Sequence, residues 1–315
     1  MPFQQSGQKL WTSPTITPHP AQRGGSAKSS SQFHTDLATR RIIRRLSPAR
    51  RSRTSAAVAE LFDMKLRAKR RDRAARNGPA LFLFERALED CLERLAPMRR
   101  RFKSALLIGC PDPAWRGRIS AIAETVAICD PGPLFADRVQ GQEIVEDRWQ
   151  PGGGAYDLII SIGTLDTVNG LPLALRLLHH ALRPGGVLIG AFSGADTLPS
   201  LRAAMRAADQ ADGVAAAHVH PRIEPASFTA LMGGAGFASV VVDVDRVPVS
   251  YASFSRLVGD LRAMGASNVL TERARRVSRS AQTAARSAFE GAGKDGRTTE
   301  TFEILHFIGF HAGQS

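Results

Sequence analysis

The chain of 315 residues has 43% hydrophobic residues, which is enough for a sizeable core. It contains no apolar run of about 18 residues, so we predict no transmembrane segment. The net charge of +13 comes from residues 1–80, which contain 17 Lys+Arg against 4 Asp+Glu. Residues 81–315 contain 25 of each and are neutral overall. This balance argues against nucleic-acid binding by residues 81–315.

Residues 1–55 form the basic end of the chain. They are rich in Ser, Thr, Pro, Gln and Arg, and Asp36 is the only acid among them. Without apolar periodicity, this stretch cannot offset its own ordering entropy, so we predict a disordered basic tail. The same composition is typical of an organellar transit peptide. A bacterial, cytoplasmic protein is the favoured interpretation, and the mitochondrial matrix is the alternative.

Two helices are predicted next, over 56–77 and 80–96, and we assign 56–100 to an N-terminal helical region. The first helix carries a run of basic side chains: Lys65, Arg67, Lys69, Arg70, Arg71 and Arg73. Such a run is often just a solvated face. The functional alternative is docking to an acidic partner surface; few aromatic residues interleave with the charges, so nucleic acid is an unlikely partner.

From residue 104 short β-rich runs alternate with helical stretches. The predicted strands are 104–109, 124–130, 142–146, 156–163 and 186–193, followed by two late strands over 238–249 and 298–312. Helices are predicted over 171–183, 224–237 and 251–268. Continuous apolar strands alternating with helices predict an α/β domain over 101–315, with a mostly parallel sheet covered on both faces.

Three strand ends carry candidate ligand-binding residues. Gly109 follows the first strand, Asp130 ends the second, and Glu146 and Asp147 follow the third. Ligands of such sheets bind at the carboxyl ends of the strands, where an acid about 20 residues after a glycine turn can accept hydrogen bonds from a ribose. A carboxylate on the third strand could accept from an adenine amine. Each acid alone could be a simple turn residue, so the ordered set carries the prediction.

Four segments in collinear order, over about residues 62–310, resemble one family. They are "FDMKLRAKRRDRAAR", the region from "YDLIIS" through "RPGGVLIGAFSGADTLPSLRAAM", the region from "PRIEPASF" through "LVGDLRAMGASNVL", and "TFEILHFIGF". The chain is similar to class I S-adenosylmethionine-dependent methyltransferases. The most similar branch is that of bacterial relatives of the complex I assembly-factor arginine hydroxylase, near the biotin-pathway malonyl-carrier-protein methyltransferases.

The resemblance implies a Rossmann-like sheet with an antiparallel last strand and S-adenosylmethionine as cofactor. The cofactor-binding residues that it implies are Gly109, Asp112, Asp130, Glu146, Asp147 and Ser161. The family carries an acid where this chain has Leu107, and a glycine-rich turn where it has Pro111 and Pro113. Proline removes an amide donor and fixes φ, so Asp112 is the candidate substitute for the missing acid.

The substrate pocket that the resemblance implies involves Asp166, Tyr251, Arg262 and Asn268. For Tyr251 the alternative is packing, and for Arg262 it is a helix surface. His218 and His220 lie near Glu224, but alternate histidines beside a proline more often form a loop, so we predict no metal site. Cys91, Cys110 and Cys129 lack zinc spacing and indicate reduced thiols.

Three functions remain open from the sequence. The first is a methyltransferase acting on an unknown substrate. The second is an arginine hydroxylase, or a chaperone, for a respiratory-complex subunit, which the basic helix would dock. The third is a non-catalytic binding module with a degenerate cofactor loop.

Overall fold

The computed structural model describes residues 60–272 and 276–313. Their strands form one seven-stranded sheet of order β3-β2-β1-β4-β5-β7-β6. The strands are β1 (Phe102–Ile108), β2 (Ala123–Asp130), β3 (Gln142–Glu143), β4 (Tyr156–Ile162), β5 (Leu182–Ser193), β6 (Phe237–Tyr251) and β7 (Thr298–His311). Every pairing from β3 to β5 is parallel, and β7 pairs antiparallel with both β5 and β6. The predicted α/β sheet with an antiparallel last strand is confirmed.

Helices cover both faces of this sheet. They are α1 (Met64–Asn77), α2 (Phe82–Leu95), α3 (Trp115–Ser120), α4 (Pro133–Arg138), α5 (Leu171–Ala181), α6 (Pro199–Asp212), α7 (Pro225–Gly234), α8 (Phe254–Ala263) and α9 (Arg279–Gly291). In the part of the chain that the structure describes, no helix is both long and apolar enough to cross a membrane.

The core divides at the sheet because successive strand residues point to opposite faces. On one face Leu107 and Ile160 pack with Leu88 and Cys91 of α2. On the other face the neighbouring strand positions pack with α5 and α7; Ile159 is one of them. The apolar run of β4 is therefore buried on both sides, as expected for a central parallel strand.

A third apolar cluster lies beside the sheet, where α6, α8 and α9 pack together with the end of β6. Tyr251 belongs to this cluster and is 5% exposed. Neither α6 nor α9 is among the predicted helices, because their buried faces consist largely of alanine: Ala204 and Ala208 in α6, Ala281 and Ala285 in α9.

The other differences from the sequence prediction are local. The third strand has only Gln142–Glu143 instead of 142–146, since Ile144 turns inward to join the core. The tail over 1–55 lies outside the described residues. The helices of the 56–100 region share their core with the sheet, because α2 packs directly on β1 and β4. The carboxyl ends of the parallel strands form one edge, and α1 lies across that edge.

Candidate functional site

Two buried carboxylates lie at the carboxyl edge of the sheet. Asp130 is the last residue of β2 and is 0% exposed, and Glu146, which follows β3, is 1% exposed. Ionised carboxylates removed from water need donors that replace their hydration. The structure supplies these donors largely from α1.

Arg71 of α1 binds Asp130 with two parallel hydrogen bonds. Its Nε donates to Oδ1 at 2.7 Å and its Nη2 donates to Oδ2 at 2.6 Å. The backbone amides of Cys110 and Gly132 donate to the same two oxygens, at 2.9 and 2.7 Å. Asp130 therefore accepts four hydrogen bonds, which is about the full capacity of a carboxylate.

Arg67, one helical turn earlier, binds Glu146 in the same way. Its Nη1 and Nη2 donate to the two carboxylate oxygens at 2.7 and 2.8 Å, and Nη2 also donates to the carbonyl of Thr164 at 2.6 Å. Burial lowers the pKa of Arg67, but the attraction of Glu146 outweighs that effect and the net pKa is raised. Both ion pairs are almost completely removed from solvent.

The spacing of the arginines explains the double contact. Residues four apart on a helix lie on the same face, so one face of α1 presents both guanidinium groups. Gly132 lets this face approach closely, because a Cβ added there would lie 2.7 Å from the Cβ of Arg71. Removing one partner of such a buried pair leaves an uncompensated charge, at a cost of about 3–5 kcal/mol.

The remaining predicted cofactor residues have local partners. Gly109 follows β1 with φ +84°, and a Cβ there would lie 2.2 Å from the carbonyl oxygen of Ile162, so backbone rather than open space adjoins it. The carboxylate of Asp112 accepts from the amide of Ala114 at 2.8 Å, and Asp147 accepts from the amide of Gly170 at 2.7 Å. Ser161 lies buried on β4, 3.1 Å from the hydroxyl of Thr164.

The unusual turn after β1 is part of the core. Leu107 is 0% exposed, Pro111 is buried and Pro113 is exposed. Burial, with Asp130 nearby, raises the pKa of the Cys110 thiol to about 12. This thiol is therefore protonated at neutral pH and is not a nucleophile.

Next to the two pairs lies a cavity that opens to solvent; the empty space between its walls, open solvent included, is about 900 Å³. Its walls come from α1, α2, the ends of β4 and β5, β7 and the segment after α8, and they are largely apolar. Its polar side chains include Arg67, Arg71, Asp166, His220, Arg222 and Glu303.

Two carboxylates of this cavity hold arginines of the same chain. Asp166, in the turn after β4, forms an ion pair with Arg222, and burial lowers the pKa of Arg222 to about 10. Glu303 on β7 is 2% exposed and lies 3.0 Å from the guanidinium of Arg246, which is itself well exposed. The cavity is therefore an apolar space with acids that accept guanidinium groups.

His220 closes the cavity on one side. It is 3% exposed, and its Nε2 accepts a hydrogen bond from the amide of Val269 at 2.7 Å. Burial, together with the charges of Arg70 and Arg202, lowers the pKa of His220 to about 4. The imidazole is thus neutral at pH 7. In the described ranges no cluster of side chains suits a metal ion.

Of the four predicted substrate residues, the structure places only Asp166 in the cavity. Tyr251 packs in the third apolar cluster, where burial, with Asp260 nearby, raises its pKa. Arg262 lies on the exposed side of α8, and the side-chain amide of Asn268 donates to the carbonyl of Ala217 at 2.7 Å. The expectation of one pocket shared by all four is corrected, because β6 ends beside α9 rather than above the strand ends.

The basic side chains of the predicted docking helix fall into an exposed group and a buried group. Lys65 and Lys69 are exposed, Arg70 is half-buried and Arg73 donates to the hydroxyl of Ser267 at 3.0 Å. Arg67 and Arg71 are 5% and 6% exposed and face inward, so in this structure they are not part of a docking face. Sequence reasoning missed Arg222 and Glu303; the signal that could have suggested them is that both stand in segments that carry the family resemblance, "PRIEPASF" and "TFEILHFIGF".

A nucleoside cofactor of the kind implied by the fold would need acceptors from Asp130 and Glu146. The residue types fit, since an acid at the second strand end suits a ribose and an acid after the third suits an amine. The atoms do not fit in this arrangement, because Asp130 is saturated by Arg71 and two backbone amides, and Arg67 covers both oxygens of Glu146. The described conformation therefore does not accept the cofactor.

The chain has clear relatives among known proteins. The family described as "Methyltransferase domain" matches residues 79–242, just over half of the chain. The mouse protein named "Arginine-hydroxylase NDUFAF5, mitochondrial" is 31% identical over 285 residues, covering 83% of this chain and 81% of its own length, and the human protein of that name is 29% identical over 300 residues. A malonyl-[acyl-carrier protein] O-methyltransferase of Laribacter hongkongensis is 32% identical over 49% of this chain and 50% of its own.

Fold and relatives define an enzyme of the class I methyltransferase type, a class whose cofactor is S-adenosylmethionine. Within that class, the chain belongs to the methyltransferase-domain family that includes the NDUFAF5 arginine hydroxylases. The solved N-methyltransferase NodS of Bradyrhizobium japonicum, bound to S-adenosyl-l-homocysteine, is 14% identical, covering 78% of this chain and 98% of that one. Its TM-score is 0.41, a similarity too loose to bear on the site.

Proposed function

We propose that the protein modifies an arginine side chain of a partner protein, with the guanidinium held in the cavity beside Asp166. The observation that carries this proposal is the cavity itself, in which the buried carboxylate of Glu303 pairs with an exposed arginine, Arg246, that an incoming guanidinium could replace, next to the ion pair of Asp166 and Arg222. The relatives that match most of the chain are named arginine hydroxylases, which supports the same substrate class.

The chemistry of the cavity suits a long cationic side chain. Its apolar walls, such as Phe84 and Leu261, would cover the methylene stem, and the carboxylates would receive the planar head. A guanidinium binds a carboxylate through two parallel hydrogen bonds, the geometry that Arg71 already adopts on Asp130. Glu303, whose present partner Arg246 is exposed, is the second acceptor.

Hydroxylation is the proposed reaction, because the relatives of greatest coverage carry that name. A C–H bond of the arginine would become C–O–H, a two-electron oxidation that needs an external oxidant: dioxygen with a two-electron reductant, or hydrogen peroxide, the second oxygen atom leaving as water. Methyl transfer is the second candidate, favoured by the match to the methyltransferase domain over residues 79–242. Mass spectrometry separates the two, since the product gains one oxygen atom in the first case and one methyl group in the second.

The test compares whole-cell peptides from the source organism with those from a strain lacking the gene. We expect an arginine-containing peptide that carries one extra oxygen atom to disappear from the deletion strain. Wild-type protein and Asp295→Asn should restore it, because Asp295 is exposed and lies outside the cavity. Asp166→Asn should fail to restore it. If no arginine-containing peptide differs between the strains, the proposed substrate class is refuted.

We propose a subunit of a respiratory complex as the partner, as the resemblance of the sequence implies. A cytoplasmic location in a bacterium is proposed with it, and the matrix is the alternative, supported by the word mitochondrial in the relatives' names. Affinity capture of the tagged full chain, followed by identification of the subunit that carries the modified arginine, tests the partner directly.

A further inference from the structure

The two arginine pairs of α1 occupy the acceptors that a nucleoside would use. Arg71 takes both oxygens of Asp130, and Arg67 takes both oxygens of Glu146. A ribose with two free hydroxyls and a base with an exocyclic amine offer the same kind of donors at the same two positions. Asp130 already accepts four hydrogen bonds, so Arg71 and a ribose cannot bind it at the same time, and Arg67 blocks the side of Glu146 that faces α1.

We propose that α1 is a gate on the nucleoside site, in which Arg67 and Arg71 act as an internal competitor of the cofactor. When α1 is docked, each carboxylate is paired with an arginine and shielded from solvent. When it is withdrawn, Asp130 and Glu146 are free to accept a ribose and an amine. This inference rests on the proposed function only in taking the family's adenosyl cofactor as the ligand.

The way α1 is attached is consistent with a movable element. Besides the two ion pairs, its docked face is held by hydrogen bonds of Asp72 with the amide of Leu134 and of Arg73 with the hydroxyl of Ser267, and by an apolar contact of Ala74 and Ala75 with Phe135. At its start, Met64 and Leu66 pack beside Phe62. Its other side carries the exposed residues Lys65 and Lys69. A helix held by polar groups and alanines buries little apolar area, and such elements open at a lower free energy than the core.

The two ends of α1 differ in a way that permits rotation about one of them. At the start, Phe62 pairs with Leu270, and the side chain of Asn169 both accepts from the amide of Phe62 and donates to its carbonyl. At the other end, exposed Gly78 has φ +89° with no atom near the position of a Cβ, and it precedes Pro79. The helix is therefore anchored at its N-terminus and followed by a glycine in a conformation that other residues rarely adopt, before the chain is held again by the hydrogen bond from the amide of Ala80 to the carbonyl of Ala263.

The first experiment measures binding of S-adenosylhomocysteine to the full chain by calorimetry. Arg67→Gln/Arg71→Gln removes the competitor, so we expect its affinity to exceed that of the wild type about tenfold or more, because a docked α1 lowers the binding-competent fraction. The control, Lys65→Gln/Lys69→Gln, removes the same charge from the exposed side of the same helix. It should bind like the wild type. Equal or weaker binding by the arginine variant overturns the gate.

The second measurement needs no variant and decides the matter if the arginine variant does not fold. Saturating S-adenosylhomocysteine should accelerate tryptic cleavage of the wild-type chain at Lys65 and Lys69, because α1 must leave the sheet edge. Unchanged or slower cleavage overturns the proposal. Absence of binding by both the wild type and the variant also overturns it, and the arginine-peptide comparison between strains then stands as a separate result.

Discussion

At the scale of single residues, the site depends on close approaches that leave no room for a side chain. Gly109 has φ +84° at the end of β1, and the backbone of β4 occupies the space where a Cβ would lie. Its role is therefore to let β1 turn beside β4, and that role holds whether or not a ligand is bound.

We expect Gly109→Ala to lower the free energy of unfolding by roughly 2–4 kcal/mol, from the left-handed backbone and the contact with the Ile162 carbonyl. Urea denaturation measures this change. The matched control is Gly117→Ala in α3, where no atom lies within 4 Å of the added Cβ and alanine favours the helix. A Gly109→Ala protein as stable as the control would contradict the prediction.

His220 gives the fold a dependence on pH. Its folded-state pKa is about 4, below the usual value of about 6.5, so between these values the unfolded chain binds more protons. The contribution of His220 to the free energy of unfolding is therefore fully present above about pH 6.5 and is lost as the pH drops toward 4. The expected loss from this group is about 2 kcal/mol between pH 7 and pH 5.

The measurement compares urea denaturation of the wild type and His220→Gln at both pH values. Glutamine has an oxygen that can accept from the amide of Val269, and it does not titrate. Between pH 7 and pH 5 the free energy of unfolding of His220→Gln should therefore fall by about 2 kcal/mol less than that of the wild type. His218→Gln is the control, since His218 lies beside Asp209 outside the cavity. Equal pH dependence in the wild type and His220→Gln would refute the assignment.

At the scale of elements, the packing of α1 on the sheet edge depends on the loop after β2. Gly132 has an extended backbone that any residue tolerates, with φ −100°, so its glycine is needed for space rather than conformation. An added Cβ would press on Arg71, 2.7 Å away, and through it on the whole helix.

We expect Gly132→Ala to loosen α1 without unfolding the sheet. Amide hydrogen exchange should show loss of protection by about tenfold or more over Met64–Asn77, while the amides of α5 keep theirs. Gly152→Ala is the control, because Gly152 is exposed with no atom near its added Cβ. Unchanged protection of α1 in Gly132→Ala would show that the helix is not seated on this loop.

At the scale of the whole molecule, the last strand completes the structure. β7 lies between β5 and β6 and pairs with both, from Phe310 opposite Val187 to Thr298 opposite Tyr251. Its Leu305 is fully buried, so the strand supplies core as well as hydrogen bonds. Without β7, the long β6 would have no partner in the sheet.

We expect deletion of residues 298–315 to abolish cooperative thermal unfolding monitored by circular dichroism. Two sheet edges and their apolar faces would then be exposed to water. Deletion of 312–315 alone, which leaves β7 whole, serves as the control and should melt like the full chain. A cooperative transition in the longer deletion would mean that β1–β5 fold without their neighbour.

The sequence by itself determined the class of fold and the family. Continuous apolar strands such as β4, alternating with helical stretches, are local patterns, so the mostly parallel sheet and most of its helices could be predicted from them, whereas the antiparallel last strand was predicted from the family resemblance. The acids at the strand ends, Asp130 and Glu146, were found for the same reason, since a strand end is visible in one stretch of chain. Helices α6 and α9 were not predicted, because their buried faces consist largely of alanine and differ little in hydrophobicity from the exposed faces.

Only the tertiary structure decided what those acids bind. The partners of Asp130 and Glu146 are 59 and 79 positions away in the chain, on a helix whose basic run reads equally well as a solvated face. Periodicity places Arg67 and Arg71 on one side of α1, but which side meets the sheet depends on Gly132, Phe135 and the anchoring of Phe62. The physical reason is that a buried charge is stabilised by contacts between distant segments, and these exist only once the chain has folded.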